Sequence, residues 1–140
     1  MMSNSIIVVV KAIVLRKGKV LLLKRSSTEK VGAGEWDTAG GKIEFGEELE
    51  TALIREIMEE AGIDVQVERL LYASTFLTNK SRQVVLLSYL CASDLEEIRL
   101  SEEHSDYVWA TPEQAASLLP PSIREEWVRH GVWKLEEWKK

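Results

Sequence analysis

The sequence is poor in cysteine, in proline and in long apolar runs. Its 140 residues include one cysteine, three prolines and two phenylalanines. A single cysteine excludes a disulfide framework within the chain, and Cys91, which lies in an apolar segment, is expected to be a buried thiol in a reducing cytoplasm. No apolar stretch reaches the roughly 20 residues of a membrane helix, since Lys11 interrupts the run after Ile6–Val10. Met1–Ser5 carries none of the positive side chains that begin a signal peptide, so we predict a cytoplasmic protein without membrane attachment.

An excess of positive charge is also lacking. The chain has 18 Lys and Arg against 23 Asp and Glu, a formal net charge of −5. Such a chain is not suited to general polyanion binding, so we predict no stable nucleic-acid complex. An acidic protein that acts on nucleotides must bring in its own cations. The length, with 45% hydrophobic and 29% charged residues, is typical of a globular protein and predicts one domain over residues 1–140.

Short apolar or alternating segments separated by turn residues predict a sheet of several strands. The predicted strands are Ile6–Leu15, Lys19–Arg25, Trp36–Thr38, Val65–Thr78, Gln83–Ala92 and Asp106–Ala110. The glycines and serines of Ser26–Glu35 predict a loop, and Gly40-Gly41 predicts a tight turn. The run over Gln83–Ala92 is so apolar that we expect a central strand.

Helix signals follow in the C-terminal part of the chain. Thr111 suits the N-cap of a short helix with Pro112 at its first position, and Pro120-Pro121 would end that helix. Ser122 is then predicted to cap a final helix. Strands around one long central helix, with further helix at the end, predict an α/β fold, namely an α/β/α sandwich with a mixed sheet.

A glycine-rich loop that runs into an acidic helix is the most informative stretch. We predict that the helix starts near Glu47, with Gly46 as its N-cap, and that Gly62 ends it in the left-handed conformation. At about 100° per residue, three carboxylates share one face of this helix: Glu56, Glu59 and Glu60. Like charges at this spacing repel one another, and a hard divalent cation such as Mg²⁺ would neutralise them. The alternative is a solvated acidic face.

The spacing of Gly41–Ile63 resembles the Nudix box at every defined position. Gly41 is followed after five residues by Glu47, and after seven more by the run Arg55-Glu56-Ile57-Met58-Glu59-Glu60-Ala61-Gly62-Ile63. This match favours a metal site over a solvated face. The resemblance also implies the Nudix form of the α/β/α sandwich and the hydrolysis of a nucleoside diphosphate linked to another group, by attack of water on phosphorus.

Residue roles follow from the same resemblance. The metal ions, Mg²⁺ or Mn²⁺, would be held by the three carboxylates of the shared face: Glu56, Glu59 and Glu60. One of them, Glu56 by preference, would orient or deprotonate the water. Arg55 and Glu47 would support the carboxylates, and Arg55 lies four residues before Glu59, within reach of it.

Further metal ligands are implied by a closer resemblance of WDTAGGKIEFGE to MutT-type enzymes. It implies that Gly40 offers a carbonyl oxygen to the metal and that Glu103, at a suitable interval before Trp109, joins the site. Glu102 is the alternative to Glu103. The segment IRLSEEHSDYVW also resembles diadenosine tetraphosphate hydrolases, which implies that His104 touches phosphate or acts as an acid or base. A single histidine is more often a surface or hydrogen-bonding residue.

Substrate contacts are predicted for four side chains: Arg25, Lys42, Trp109 and His104. Arg25 could instead be an ordinary strand end, and Trp109 could pack in the core rather than stack on a purine. MutT-type enzymes that read oxidised guanine carry an asparagine after a double proline, whereas Ser122 stands there in this chain. Three tryptophans near the C-terminus either cover one face of the sheet or form a homodimer contact: Trp127, Trp133 and Trp138.

The sequence thus predicts a metal-dependent Nudix pyrophosphohydrolase of the MutT-like type. Its expected substrate is a small nucleotide, a ribo- or deoxyribonucleoside triphosphate that is cleaved to the monophosphate and pyrophosphate. The alternatives are a hydrolase of dinucleoside polyphosphates or nucleotide sugars and, in another class, a nucleotide-binding module without turnover. Such modules are expected to have lost carboxylates of the box, and this chain keeps all of them.

Overall fold

The computed structural model describes residues 3–29 and 32–140. Two parts of the sequence predictions therefore lie outside the described residues, namely Met1 and Met2 at the start and Lys30 and Val31 in the predicted loop. The strands are β1 Ser5–Arg16, β2 Lys19–Arg25, β3 Trp36–Asp37, β4 Ala39–Lys42, β5 Gln66–Asn79, β6 Arg82–Ala92 and β7 His104–Ala110. The helices are α1 Leu49–Ala61, α2 Pro112–Leu118 and α3 Pro121–Arg129, followed by 3₁₀ turns at Val132–Lys134 and Glu136–Lys139.

The strands form one mixed sheet with the order β3-β2-β1-β6-β5, to which β4 adds beside β1 and β7 beside β2. The pairing of β1 with β6 is parallel and the other pairings are antiparallel. β1 is long enough to pair with β2 at its C-terminal end and with β4 in its middle, where Lys11 lies opposite Gly40. β6 has neighbours on both sides, as expected from its apolar run.

Both faces of the sheet are covered, which confirms the predicted sandwich. Alternate residues of β1 point to opposite faces, so that Val10, Ala12 and Val14 pack with α1 while Ile13 and Leu15 pack with the C-terminal helices. The three C-terminal tryptophans belong to the second of these clusters, and the rings of Trp127 and Trp133 lie 4.9 Å apart. The alternative in which they cover one face of the sheet is therefore confirmed.

The prediction of a tight turn at Gly40-Gly41 is wrong. Both glycines belong to β4, which pairs with the middle of β1. A Cβ atom on Gly40 would overlap the carbonyl oxygen of Val10, so this strand can approach β1 as it does only without a side chain at that position. The chain turns elsewhere, after β4, on its way to α1.

The start of α1 also differs from the prediction. The helix begins at Leu49 with Glu48 as its N-cap, two residues later than expected, and no side chain caps it. Glu47 precedes the helix, and its carboxylate is bonded to Arg55. The predicted end is confirmed: Gly62 is left-handed, with φ 70°, and its N–H donates to the carbonyl of Met58.

The sequence predicted the start of α2 correctly and the start of α3 incorrectly. Thr111 and Gln114 form a capping box at α2, with Pro112 at the first position. α3 begins at Pro121 with Pro120 as its N-cap, so the predicted cap at Ser122 is wrong. Proline is well tolerated in a first helical turn, and the double proline therefore starts α3 as well as ending α2. Among the described residues, no helix is long and apolar enough to cross a membrane.

Candidate active site

Glu60 of α1 is buried against β4. Only 6% of the residue is exposed, and its Oε1 accepts a hydrogen bond from the backbone N–H of Gly40 at 3.0 Å. Burial raises the pKa of the Glu60 carboxyl to about 7, although the hydrogen bond from Gly40 acts in the opposite direction. Gly40, predicted as a metal ligand, is thus in contact with one of the predicted carboxylates. Its role as a ligand stays a prediction.

Glu56 lies one turn earlier on the same helix face and occupies the space beside Gly41. A Cβ atom on Gly41 would overlap the Glu56 carboxylate, so any larger residue at this position would force that carboxylate to move. The Glu56 side chain is 15% exposed. Its pKa is raised, mainly by burial and further by the charges of Glu59 and Glu103, while Arg55 opposes the shift.

Arg55 is the hub that holds the carboxylates of the motif. Its Nε and Nη2 donate to the two oxygens of Glu47 at 2.7 and 2.8 Å, a two-pronged pairing that fixes the guanidinium plane. Its Nη1 lies 3.0 Å from Glu56 Oε1 and 3.3 Å from both oxygens of Glu59. The hydrogen bonds from Arg55 lower the pKa of Glu47 to about 2. The predicted contact of Arg55 with a carboxylate is confirmed.

Glu59 differs from its two partners because its side chain is 59% exposed. It reaches outward and contacts Arg55 rather than the interior of the site. The three predicted carboxylates therefore occupy one helix face at three depths, from the buried Glu60 to the exposed Glu59.

A distant segment brings Glu103 to this helix. The backbone N–H groups of Arg99 and Ser101 donate to the last carbonyls of α1, those of Ala61 and Glu60, at 2.8 and 3.3 Å. The carbonyl of Glu103 in turn accepts from the N–H of Ser26 at 2.9 Å. These bonds anchor the irregular connection between β6 and β7 against the end of α1.

One group of possible metal ligands results from this arrangement. Among the described residues, ligand atoms of Glu60, Glu103 and His104 all lie within 4.8 Å of one another. The structure thus brings Glu103, rather than Glu102, to the buried carboxylate. Two carboxylates and an imidazole form a donor set that fits a divalent cation. The cation would also favour the ionised form of the buried Glu60 carboxyl, which burial alone disfavours.

His104 sits at the start of β7, which begins two residues earlier than predicted. The residue is 8% exposed, and its Nδ1 is buried without a hydrogen-bond partner among the described residues. Burial, and then the charge of Arg25, lower its pKa to about 4, so the imidazole is neutral at pH 7. Sequence reasoning offered His104 as a phosphate contact, as an acid or base, or as a surface or hydrogen-bonding residue, and did not foresee its position beside the carboxylates.

The other predicted substrate contacts lie at different distances from this group. Arg25 pairs with His104 across β2 and β7, and its Nη1 is 3.6 Å from Glu29. The side chain of Lys42 is exposed, and its carbonyl accepts from Arg55. Trp109 packs against the core beneath α1 and donates from its indole nitrogen to the Glu96 carbonyl at 2.8 Å. The structure thus favours the core alternative for Trp109.

A cleft of about 360 Å³ on the other face of the sheet was not predicted. Its lining includes Lys11, Tyr72, Phe76, Ser88, Ser122 and Glu126. Lys11 is buried, and its Nζ donates to Asp37 Oδ2 and to the Thr38 carbonyl, each at 2.9 Å. A lysine inside an otherwise apolar strand was the signal in the sequence. Lys11 lies opposite Gly40 in the β1–β4 ladder, and the N–H of Gly40 binds Glu60, so this strand pair links the cleft to the carboxylate site.

Known proteins resemble this chain over most of its length. Residues 6–130 match the NUDIX domain family. A CTP pyrophosphohydrolase from Escherichia coli is 36% identical over 117 residues, which cover 82% of this chain and 84% of that protein. The nucleoside triphosphatase NudI of an Escherichia coli strain is 30% identical over 115 residues, or 75% and 82% of the two chains.

Solved structures agree with this relationship. The crystal structure of the MutT protein from Methanosarcina mazei Go1 superimposes with a TM-score of 0.84 at 27% identity and covers 97% of this chain and 100% of that one. The family match includes the helix that carries the carboxylates and the segment that delivers Glu103. The chain belongs to the NUDIX domain family and is a MutT-like Nudix pyrophosphohydrolase, a hydrolase of acid anhydrides.

Proposed function

We propose that the chain is one Nudix hydrolase domain that converts a nucleoside triphosphate to the monophosphate and pyrophosphate. The observation that carries this proposal is that Lys11, which lines the cleft, pairs in the β1–β4 ladder with Gly40, whose N–H binds Glu60. A nucleotide can then lie with its phosphates at the carboxylates and its base in the cleft. A similar protein is named a CTP pyrophosphohydrolase, so cytidine triphosphate is the first substrate to test.

The carboxylates of the site would have two roles, metal binding and activation of the water. Glu60 and Glu103, together with the remaining carboxylates Glu56 and Glu59, would hold the divalent cation. When bound, Mg²⁺ or Mn²⁺ would screen the phosphate charges and polarise the P–O bonds. Glu56 would orient or deprotonate the water, because Arg55 fixes its carboxylate beside the other predicted ligands.

Arg55 would act through the carboxylates rather than on the substrate. Its Nε and Nη2 both donate to Glu47, so only Nη1 is left to bind the carboxylates of the helix face. An arginine held in this way keeps Glu56 in one orientation, and such preorganisation is a main source of catalytic power at charged sites.

The cleft fits a nucleobase in size and chemistry. Its volume of about 360 Å³ lies in the range of small-molecule sites, and its walls combine aromatic rings with hydroxyl, carboxylate and ammonium groups. Ser122 lines it at the position where MutT-type readers of oxidised guanine carry asparagine. We therefore propose an ordinary nucleotide rather than an oxidised one as substrate.

One specific observation favours a second candidate substrate. His104 lies beside Glu103 within reach of the carboxylate site, in the segment that resembles diadenosine tetraphosphate hydrolases. A dinucleoside polyphosphate is therefore the second substrate class to test.

A cytoplasmic location and a homodimer stay predictions.

Turnover of cytidine triphosphate with Mg²⁺ tests the proposal. We expect Glu59→Gln to lower kcat by at least ~10²-fold with the fold intact, because the loss of one charged ligand weakens charge stabilisation in the transition state. Glu102→Gln is the matched control, since Glu102 is an exposed acid that does not lie on the face of α1 where Glu59 contacts Arg55. Full activity of Glu59→Gln would remove that residue from the metal site, and equal losses in both variants would show only a general effect of charge.

A further inference from the structure

His104 carries a buried nitrogen that the fold itself does not use. Nδ1 has no hydrogen-bond partner among the described residues, although 92% of the residue is removed from solvent. Buried polar atoms without a partner are rare in proteins, because each one loses its hydration without compensation. Such an atom therefore indicates a missing partner, such as an ion.

The surroundings of the imidazole identify the kind of partner. Ligand atoms of Glu60 and Glu103 lie within 4.8 Å of a ring nitrogen, and the three atoms lie within that distance of one another. Two carboxylates so close to each other attract a cation, and a neutral imidazole adds a lone pair to them. Arg25 pairs with His104 along the strands, but none of its N–H groups bonds to Nδ1, which is left without a partner among the described residues.

We infer that His104 is a nitrogen ligand of the divalent cation, beside the carboxylates of Glu60 and Glu103. The imidazole would add a nitrogen to ligands that are otherwise oxygens. This inference rests on the proposed function, because the ion is the one that the hydrolase uses.

Pulsed electron paramagnetic resonance of the Mn²⁺-loaded protein reads the ligand directly and needs no turnover. Nitrogen bonded to Mn²⁺ modulates the electron spin echo, and ¹⁵N labelling of histidine changes the modulation frequencies. The chain has two histidines, so a nitrogen signal from imidazole can come only from His104 or His130. His130→Gln is the matched control, since His130 stacks on Tyr72 and contacts Glu126 on the opposite side of the sheet.

We expect imidazole modulation in the wild type, its retention in His130→Gln and its loss in His104→Gln. If His104→Gln fails to fold, the signal of the His130→Gln variant still decides, because His104 is then its only histidine source. Absence of the modulation in the wild type, or its loss in His130→Gln, would overturn the inference. An active hydrolase with an all-oxygen Mn²⁺ site would contradict this inference alone, whereas a nitrogen-ligated site in an inactive protein would contradict the proposed function alone.

Discussion

Replacement of Glu60 by glutamine should stabilise the metal-free protein, and the gain should grow with pH. The Glu60 carboxyl is buried, and its pKa rises from an ordinary 4.5 to about 7. Between these values the folded state binds more protons than the unfolded state, so the wild type loses stability as the pH increases. Glutamine keeps an oxygen for the N–H of Gly40 and has no charge to bury.

The size of the effect follows from the two pKa values. A shift from 4.5 to about 7 corresponds to roughly 3 kcal/mol of unfolding free energy once both states are ionised. Most of this change falls between pH 5 and pH 8. The free energy of unfolding of Glu60→Gln, taken relative to that of the wild type, should therefore be higher at pH 8 than at pH 5 by roughly 2 to 3 kcal/mol. Saturating Mg²⁺ should reverse the order at pH 8, because it stabilises the form that binds it.

Urea denaturation in EDTA at pH 5 and pH 8 measures this difference. Glu59→Gln is the control, since its side chain is 59% exposed and its charge is largely screened by solvent. The control should show a much smaller dependence on pH. A Glu60→Gln variant whose stability relative to the wild type is the same at both pH values would refute the argument from burial.

Three further substitutions test other parts of the site. Arg55→Lys should lower kcat by ~10-fold or more while KM changes little, since lysine cannot form the two-pronged pair with Glu47; unchanged kcat would contradict its positioning role. Gly41→Ala should displace the Glu56 carboxylate and lower kcat by at least ~10-fold. A thermal melt followed by circular dichroism would check that this variant keeps its fold. Lys11→Met should raise KM for nucleotide more than it lowers kcat, and a normal KM would remove the cleft from the substrate path.

Local signals made much of the fold predictable. The bounds of β2, the left-handed end of α1 at Gly62 and the capping box at Thr111 depend on residues close in sequence. Six of the seven strands among the described residues, and the acidic helix face, follow from periodicity in the same way. These features need little knowledge of the rest of the molecule, and the structure confirms them.

Some errors arose where distant segments meet. Gly40 and Gly41 look like a turn locally but form a strand because β1 pairs with them. The position of His104 beside Glu60 depends on backbone bonds between the end of α1 and a segment some 40 residues away, which no local pattern reveals.

The measurement that tests the central claim most directly is a product screen. Purified protein with Mg²⁺ would be incubated with nucleoside triphosphates, dinucleoside polyphosphates and nucleotide sugars, and the products separated by chromatography. We predict nucleoside monophosphate and pyrophosphate from a triphosphate, with cytidine triphosphate the first to examine, and no products in EDTA. Release of nucleoside diphosphate and phosphate, or no turnover of any of these compounds, would contradict the account.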